Sequence, residues 1–141
     1  MNERLKLRNQ LCFPMYACAK EIVRSYTPLL APFGLTYTQY IAIMVLWEHK
    51  NITVNEIGKL LYLDSGTLTP MLKKMEHSGW IQRKRSKDDE RVVNITITKS
   101  GELLQEQVAD VPLKMAKCIK LENEEAMQLY TLLNKMMQTF K

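Results

Sequence analysis

Residues 80–98 read Trp80-Ile-Gln-Arg-Lys-Arg-Ser-Lys-Asp-Asp-Glu-Arg-Val-Val-Asn-Ile-Thr-Ile-Thr98. Trp80–Arg85 and Val92–Thr98 alternate in polarity and are rich in β-branched residues, the pattern of two strands. Ser86–Arg91 between them is charged and turn-forming, so the stretch predicts a hairpin with an exposed polar tip. Elsewhere the apolar period is helical. This one short β region, set late in an otherwise helical chain, decides the architecture.

Upstream lie three helix starts. Thr36-Tyr-Thr-Gln39 fits a capping box, and behind it Tyr40, Ile41, Met44 and Val45 make a helical stripe. Thr53-Val-Asn-Glu56 is a second capping box, opening a short helix through about Leu61. Asp64 or Ser65 can cap the next helix, which carries Leu68, Met71, Leu72 and Met75 and ends at Gly79 as a C′ residue. Pro70 limits how early that helix starts, or bends it. Downstream, a long helix with Leu104, Val108, Val111, Met115 and Cys118 on one face is expected to kink or break at Pro112. The final segment places Leu129, Leu132, Leu133, Met136, Met137 and Phe140 on one stripe.

Two short capped helices, a further helix and then a hairpin are the order of a winged helix-turn-helix, whose last helix enters the DNA major groove while the hairpin lies over the backbone or minor groove. The expected fold is mainly α with a small β wing, in one domain of 141 residues. Residues 35–101 are the expected DNA-binding region, and the helices of 1–34 and 102–141 are expected to serve dimerisation, consistent with the apolar stripe of residues 129–140.

Charge agrees. Residues 71–91 hold seven Lys or Arg against four acids, whereas residues 121–141 hold two Lys against three Glu. Positive charge therefore collects where phosphates would be bound. The candidate DNA contacts are the hydroxyls Ser65, Thr67 and Thr69, the cations Lys73, Lys74, Arg83, Arg85, Lys87 and Arg91, and Asp89 as the residue that orients Arg91. Hydroxyls at a helix start serve equally as caps, so Ser65 can do both.

The charged N-terminus lacks the apolar core of a signal peptide, and no run of 18 apolar residues suggests a membrane span. A cytoplasmic location is expected, with no membrane partner. His49 and His77 stand apart, no Cys/His cluster has metal-ligand spacing, and no phosphate loop or acid–base pair is evident. Neither an enzyme nor a metal or cofactor is expected.

One stretch remains. Gln10-Leu-Cys-Phe-Pro-Met-Tyr-Ala-Cys-Ala-Lys20 starts a helix that also carries Ile22, Val23 and Tyr26. Proline is tolerated in a first turn and harmful further in, so Pro14 suggests that the helix begins near residues 10–13, with Cys12 close to its N-terminus. Spacing alone leaves two possibilities open: a small buried hydrophobe, as most free cysteines are, or a reactive thiol.

Several segments together carry a resemblance. Asp89-Glu-Arg91 followed by Ile97-Thr-Lys-Ser-Gly101 resembles the wing signature of the MarR family of dimeric winged-helix regulators. Gln10-Leu-Cys-Phe13, Leu35-Thr-Tyr-Thr-Gln-Tyr40 and Leu61-Tyr-Leu-Asp-Ser-Gly-Thr-Leu-Thr-Pro70 resemble more closely its organic hydroperoxide regulator (OhrR) branch, over nearly the whole chain. The resemblance implies that Cys12 is a peroxide-sensing cysteine. It also implies that Tyr26 and Tyr37 match the two tyrosines that reach the sulfur from the partner subunit, and that Tyr16 matches a further tyrosine near the site. Two-cysteine members close a disulfide with a distal cysteine of the other subunit, and Cys118 lies in that region. One-cysteine members instead form mixed disulfides with low-molecular-weight thiols. Cys18 reads as packing.

The implied function is a homodimeric repressor that binds palindromic double-stranded promoter DNA when reduced and releases it once organic hydroperoxide oxidises Cys12. The alternatives are a MarR-type repressor answering a small apolar or phenolic ligand and, from another class, a thiol peroxidase.

Overall fold

The computed structural model describes residues 1–140. Two 3₁₀ turns, Glu3–Leu5 and Leu7–Asn9, precede α1 (Cys12–Leu30). Cys12 is the first residue of that helix and Pro14 the third, where a missing N–H costs nothing. The helix continues past Pro28, and a 3₁₀ turn at Ala31–Phe33 ends on Gly34 at φ 71°, the left-handed region glycine enters freely.

Both expected capping boxes are present. Thr36 and Gln39 open α2 (Tyr37–His49), and Thr53 and Glu56 open α3 (Val54–Leu61). At α3, Thr53 Oγ1 accepts from Glu56 N at 3.1 Å and Glu56 Oε2 accepts from Thr53 N at 2.9 Å. These bonds hold the Glu56 carboxyl below its ordinary range. The helix-turn-helix corner is tight: a Cβ at Gly58 would come 2.7 Å from the Leu63 carbonyl oxygen.

The next helix, α4 (Ser65–His77), is capped by Asp64, whose Oδ1 accepts from Thr67 N at 2.7 Å. The cap is therefore the aspartate and not the Ser65 hydroxyl. Pro70 is accommodated inside α4, and Gly79 follows at φ 84° as the C′ residue.

The wing strands are β2 (Ile81–Arg85) and β3 (Val93–Ile97), antiparallel, with Ile81 opposite Ile97 and Arg83 opposite Ile95. A third strand completes the sheet in the order β1-β3-β2: β1 (Asn51–Thr53) pairs with β3 through Ile52 and Ile95. Sequence reading sees Thr53 only as a cap. A three-residue strand is too short for alternation to show, and it exists because β3 supplies its partner.

The expected long helix after Thr98 is two helices. Of the two outcomes expected at Pro112, the chain shows the break: α5 (Lys99–Gln107) ends before α6 (Val111–Cys118), and Pro112 sits in the first turn of α6. Leu104, Val108, Val111 and Met115 are buried as the stripe requires, but Cys118 is exposed. The last helix is α7 (Asn123–Met137).

The chain divides into two compact units, 1–111 and 112–141. The core of the first unites Leu30, Ala42, Ile43, Leu46, Ile57, Leu72 and Ile95, all without solvent contact, with Ile81 and Leu104. In the second, α7 and the 3₁₀ turn that follows it (Gln138–Phe140) expose the whole stripe from Leu129 to Phe140. Among the described residues no single helix is long and apolar enough to cross a membrane.

Candidate nucleic-acid interface and sensor cysteine

Between α3, α4 and the wing lies a cleft of about 930 Å³. One wall is the face of α4 presenting Ser65, Thr69 and Lys73, spaced four apart and therefore in line. The other is the wing, with Arg83 and Arg85 on the helix-facing side of β2 and Asp89 and Arg91 on the loop. Four cations line the cleft against the single carboxylate of Asp89, so it focuses positive potential.

The wing loop is built by its own hydrogen bonds. Ser86 N donates to Val92 O at 2.8 Å, Val92 N to Asp89 O at 3.0 Å and Arg85 Nη1 to Glu90 O at 2.8 Å. Asp89 grips Arg91 three times: Oδ1 accepts from Arg91 N at 3.0 Å and Nε at 3.1 Å, and Oδ2 from Nη2 at 3.2 Å. The Arg91 guanidinium holds the Asp89 carboxyl below its ordinary range. Arg91 itself stays 90% exposed, a pre-aimed cation at the cleft's rim.

Of the sequence candidates the structure gathers Ser65, Thr69, Lys73, Arg83, Arg85, Asp89 and Arg91 around the cleft, while Thr67, Lys74 and Lys87 lie outside its lining. Thr67 is instead the residue whose N–H the Asp64 cap satisfies. Sequence reasoning misses Thr53 and Asn55, from the first turn of α3. The available signal was the capping box itself, which fixes that turn beside the start of α4.

All three cysteines are free and exposed in the single chain. Cys18 is thus not packed within its own subunit, against the expectation from sequence. Cys12, as the first residue of α1, lies at the positive end of the helix dipole. Tyr26 and Tyr37 pack in a tilted arrangement with ring centroids 4.6 Å apart, and Tyr40 joins them 5.8 Å from Tyr26. Burial, reinforced by Tyr37, pushes the Tyr26 phenol up; burial and both neighbours do the same to Tyr40. Tyr26 therefore stays protonated, a donor and not an anion. Tyr16 stands apart on the exposed face of α1 under Lys20 Nζ, 5.3 Å from its ring centroid.

Fourteen positions of one helix separate Cys12 from Tyr26, a rise of about 21 Å. The tyrosine pair of a chain cannot reach that chain's own Cys12.

A family model described as transcriptional regulator SarA/Rot matches residues 24–108. The organic hydroperoxide resistance transcriptional regulator of Bacillus subtilis is 47% identical over 97% of this chain and 93% of its own length. The chain belongs to the MarR/SarA family of winged-helix transcriptional regulators.

Within the family it stands with the organic hydroperoxide regulators. Reduced AbfR bound to DNA superposes with a TM-score of 0.84 at 38% identity, covering 99% of this chain and 95% of AbfR. AbfR, from Staphylococcus epidermidis, has also been solved overoxidised on DNA, with a TM-score of 0.79 at 37% identity over 99% of this chain and 98% of AbfR. Its disulfide form superposes with a TM-score of 0.70 at 37% identity over 98% of this chain and 94% of AbfR.

Proposed function

We propose that this MarR/SarA member is a redox-sensing repressor: a homodimer that holds palindromic promoter DNA in its two clefts while Cys12 is reduced. The observation that carries the reading is the placement of Cys12 and the Tyr26–Tyr37 pair at opposite ends of α1. A thiol and its phenol donors lying about 21 Å apart within one chain become a site only when a second copy is paired with the first. The apolar faces of α1 and α7, where Tyr16 and Leu132 are 61% and 59% exposed, supply the surface for that pairing. On this reading residues 1–34 and 102–141 serve dimerisation and 35–101 bind DNA, in the cytoplasm.

The Cys12 thiolate attacks the peroxide. An S–O bond forms, the O–O bond breaks, and the alcohol leaves with a proton, giving a sulfenic acid. The thiol of Cys118 in the partner then displaces water and closes an intersubunit disulfide, or a low-molecular-weight thiol takes that role. AbfR has been solved both overoxidised on DNA and as a disulfide form, which supports disulfide formation, and not oxidation alone, as the releasing step. Tethering the end of α1 changes the spacing of the two clefts. A loss of about 3 kcal/mol would weaken binding roughly a hundredfold.

The test is to treat wild type, Cys12→Ser and Cys118→Ser with cumene hydroperoxide. Each protein is then followed on a non-reducing gel and for binding to a duplex selected from a randomised pool by the reduced protein. Wild type should form a covalent dimer and release DNA, and neither variant should crosslink. Release by oxidised Cys118→Ser makes Cys118 dispensable and leaves a one-cysteine sensor. A Cys12→Ser protein that still answers the peroxide would sink the sensor reading.

A further inference from the structure

Glu76 lies in the last turn of α4 and reaches across to the wing. Its Oε2 accepts the backbone N–H of Arg83 at 2.7 Å and its Oε1 pairs with Arg83 Nε at 3.4 Å. Both oxygens of one carboxylate thus hold one residue of β2, in a site partly shielded from water, with side chains 38% and 25% exposed. Arg83 sits opposite the fully buried Ile95 in the sheet register, so it projects from the face turned towards the helices. It also lines the cleft together with Lys73 and Arg85.

From this geometry we infer that Glu76 is a positioning residue for DNA binding: it ties the wing to the reading helix and holds the Arg83 guanidinium in line for a phosphate. The inference rests on the reading of the cleft as the DNA site. With Nε engaged by Glu76, the two terminal nitrogens of Arg83 are what the guanidinium has left to offer the cleft, and its long side chain is fixed before DNA arrives. The backbone bond adds a second function. It fixes the strand at residue 83, and thereby the height at which Arg85 and the Asp89–Arg91 tip stand above α4.

The sign of one substitution separates this from the ordinary electrostatic expectation. A carboxylate beside a phosphate track repels it, so neutralising an uninvolved Glu76 should tighten DNA binding. If Glu76 positions Arg83, neutralising it weakens binding although the protein gains a positive charge.

Affinity for the selected duplex would be measured across a salt series for wild type, Glu76→Gln, Arg83→Ala and the double variant, with melting curves confirming the fold of each. Glu76→Gln should weaken binding about five- to tenfold at 0.1 M salt and lower the salt slope by about one, the signature of one lost phosphate contact. Arg83→Ala should do the same, and the double variant should bind no worse than Arg83→Ala alone. Tighter binding by Glu76→Gln, or losses that multiply in the double variant, would overturn the inference. A wild type that selects no duplex would remove the DNA reading itself, a failure distinguishable from the other two.

Discussion

The winged region and the terminal helices bury their apolar residues in opposite ways. Between α2 and β3 the large side chains close on one another: Leu46, Ile57, Leu72, Met75 and Ile95 have no exposed surface. Along α1 and α7 apolar stripes face outward, from Tyr16 and Val23 to Leu132 and Met136. Apolar content does not separate the two regions, since both carry Leu and Met at helical spacing. The difference lies in whether the chain itself supplies the facing surface. The first region is finished when the chain folds; the second, within a single chain, stays open to solvent.

Four variants and a pH series probe that contrast. Placing charge on the open surface, as Leu129→Glu with Met136→Glu, should cost at least about 4 kcal/mol of association. Sedimentation should show monomers at micromolar protein while circular dichroism keeps the helical signal; a protein still dimeric would mean that α7 is not the seam. Truncating the finished surface, as Leu46→Ala, should lower unfolding stability by about 3 kcal/mol, read in denaturant melts. Gly101→Ala tests the joint between wing and α5, because a Cβ there would lie 2.2 Å from the Trp80 carbonyl oxygen. A cost of about 2 kcal/mol is expected, and wild-type melting would show that the contact relaxes freely.

Asp89→Ala releases Arg91 without removing a cation. It should weaken specific DNA binding by about 1 kcal/mol and lower the melting temperature only slightly, because the Asp89–Arg91 contact is solvent-exposed. The smallest effect is acid sensitivity. Glu56, Asp64 and Asp89 all titrate below their ordinary range because hydrogen bonds favour their charged forms. Their stabilisation is therefore complete above the ordinary carboxylate pKa and is lost as pH falls through the lowered values. Glu56→Gln should flatten that acid limb of a stability–pH curve, and an unchanged limb would show that the capping carboxylate carries no such linkage.

What the sequence makes legible is what it keeps local. Thr36 with Gln39 and Thr53 with Glu56 declare two helix starts, because each box is complete within four residues. The alternation in Ile81–Arg85 and Val93–Ile97 declares the wing. Features that need a distant partner stay hidden. β1 is three residues whose strand character comes from β3. Pro112 marks a discontinuity, but not that the chain breaks before it and leaves the proline in a permitted position. Asn55 enters the cleft only once α3 has turned against α4, and Glu76 meets Arg83 only once the wing has folded back. The exposure of Cys18 and Cys118 was equally invisible, since an apolar neighbourhood in sequence does not say which subunit provides the neighbours.

The length of α1 has one more consequence. With the thiol at one end and the paired phenols at the other, a solitary chain owns both halves of a detector that it cannot assemble. On the proposed reading, sensing and repression switch on at the same threshold of cellular dosage. A cell making few copies holds a silent regulator, never one that represses while deaf to the oxidant.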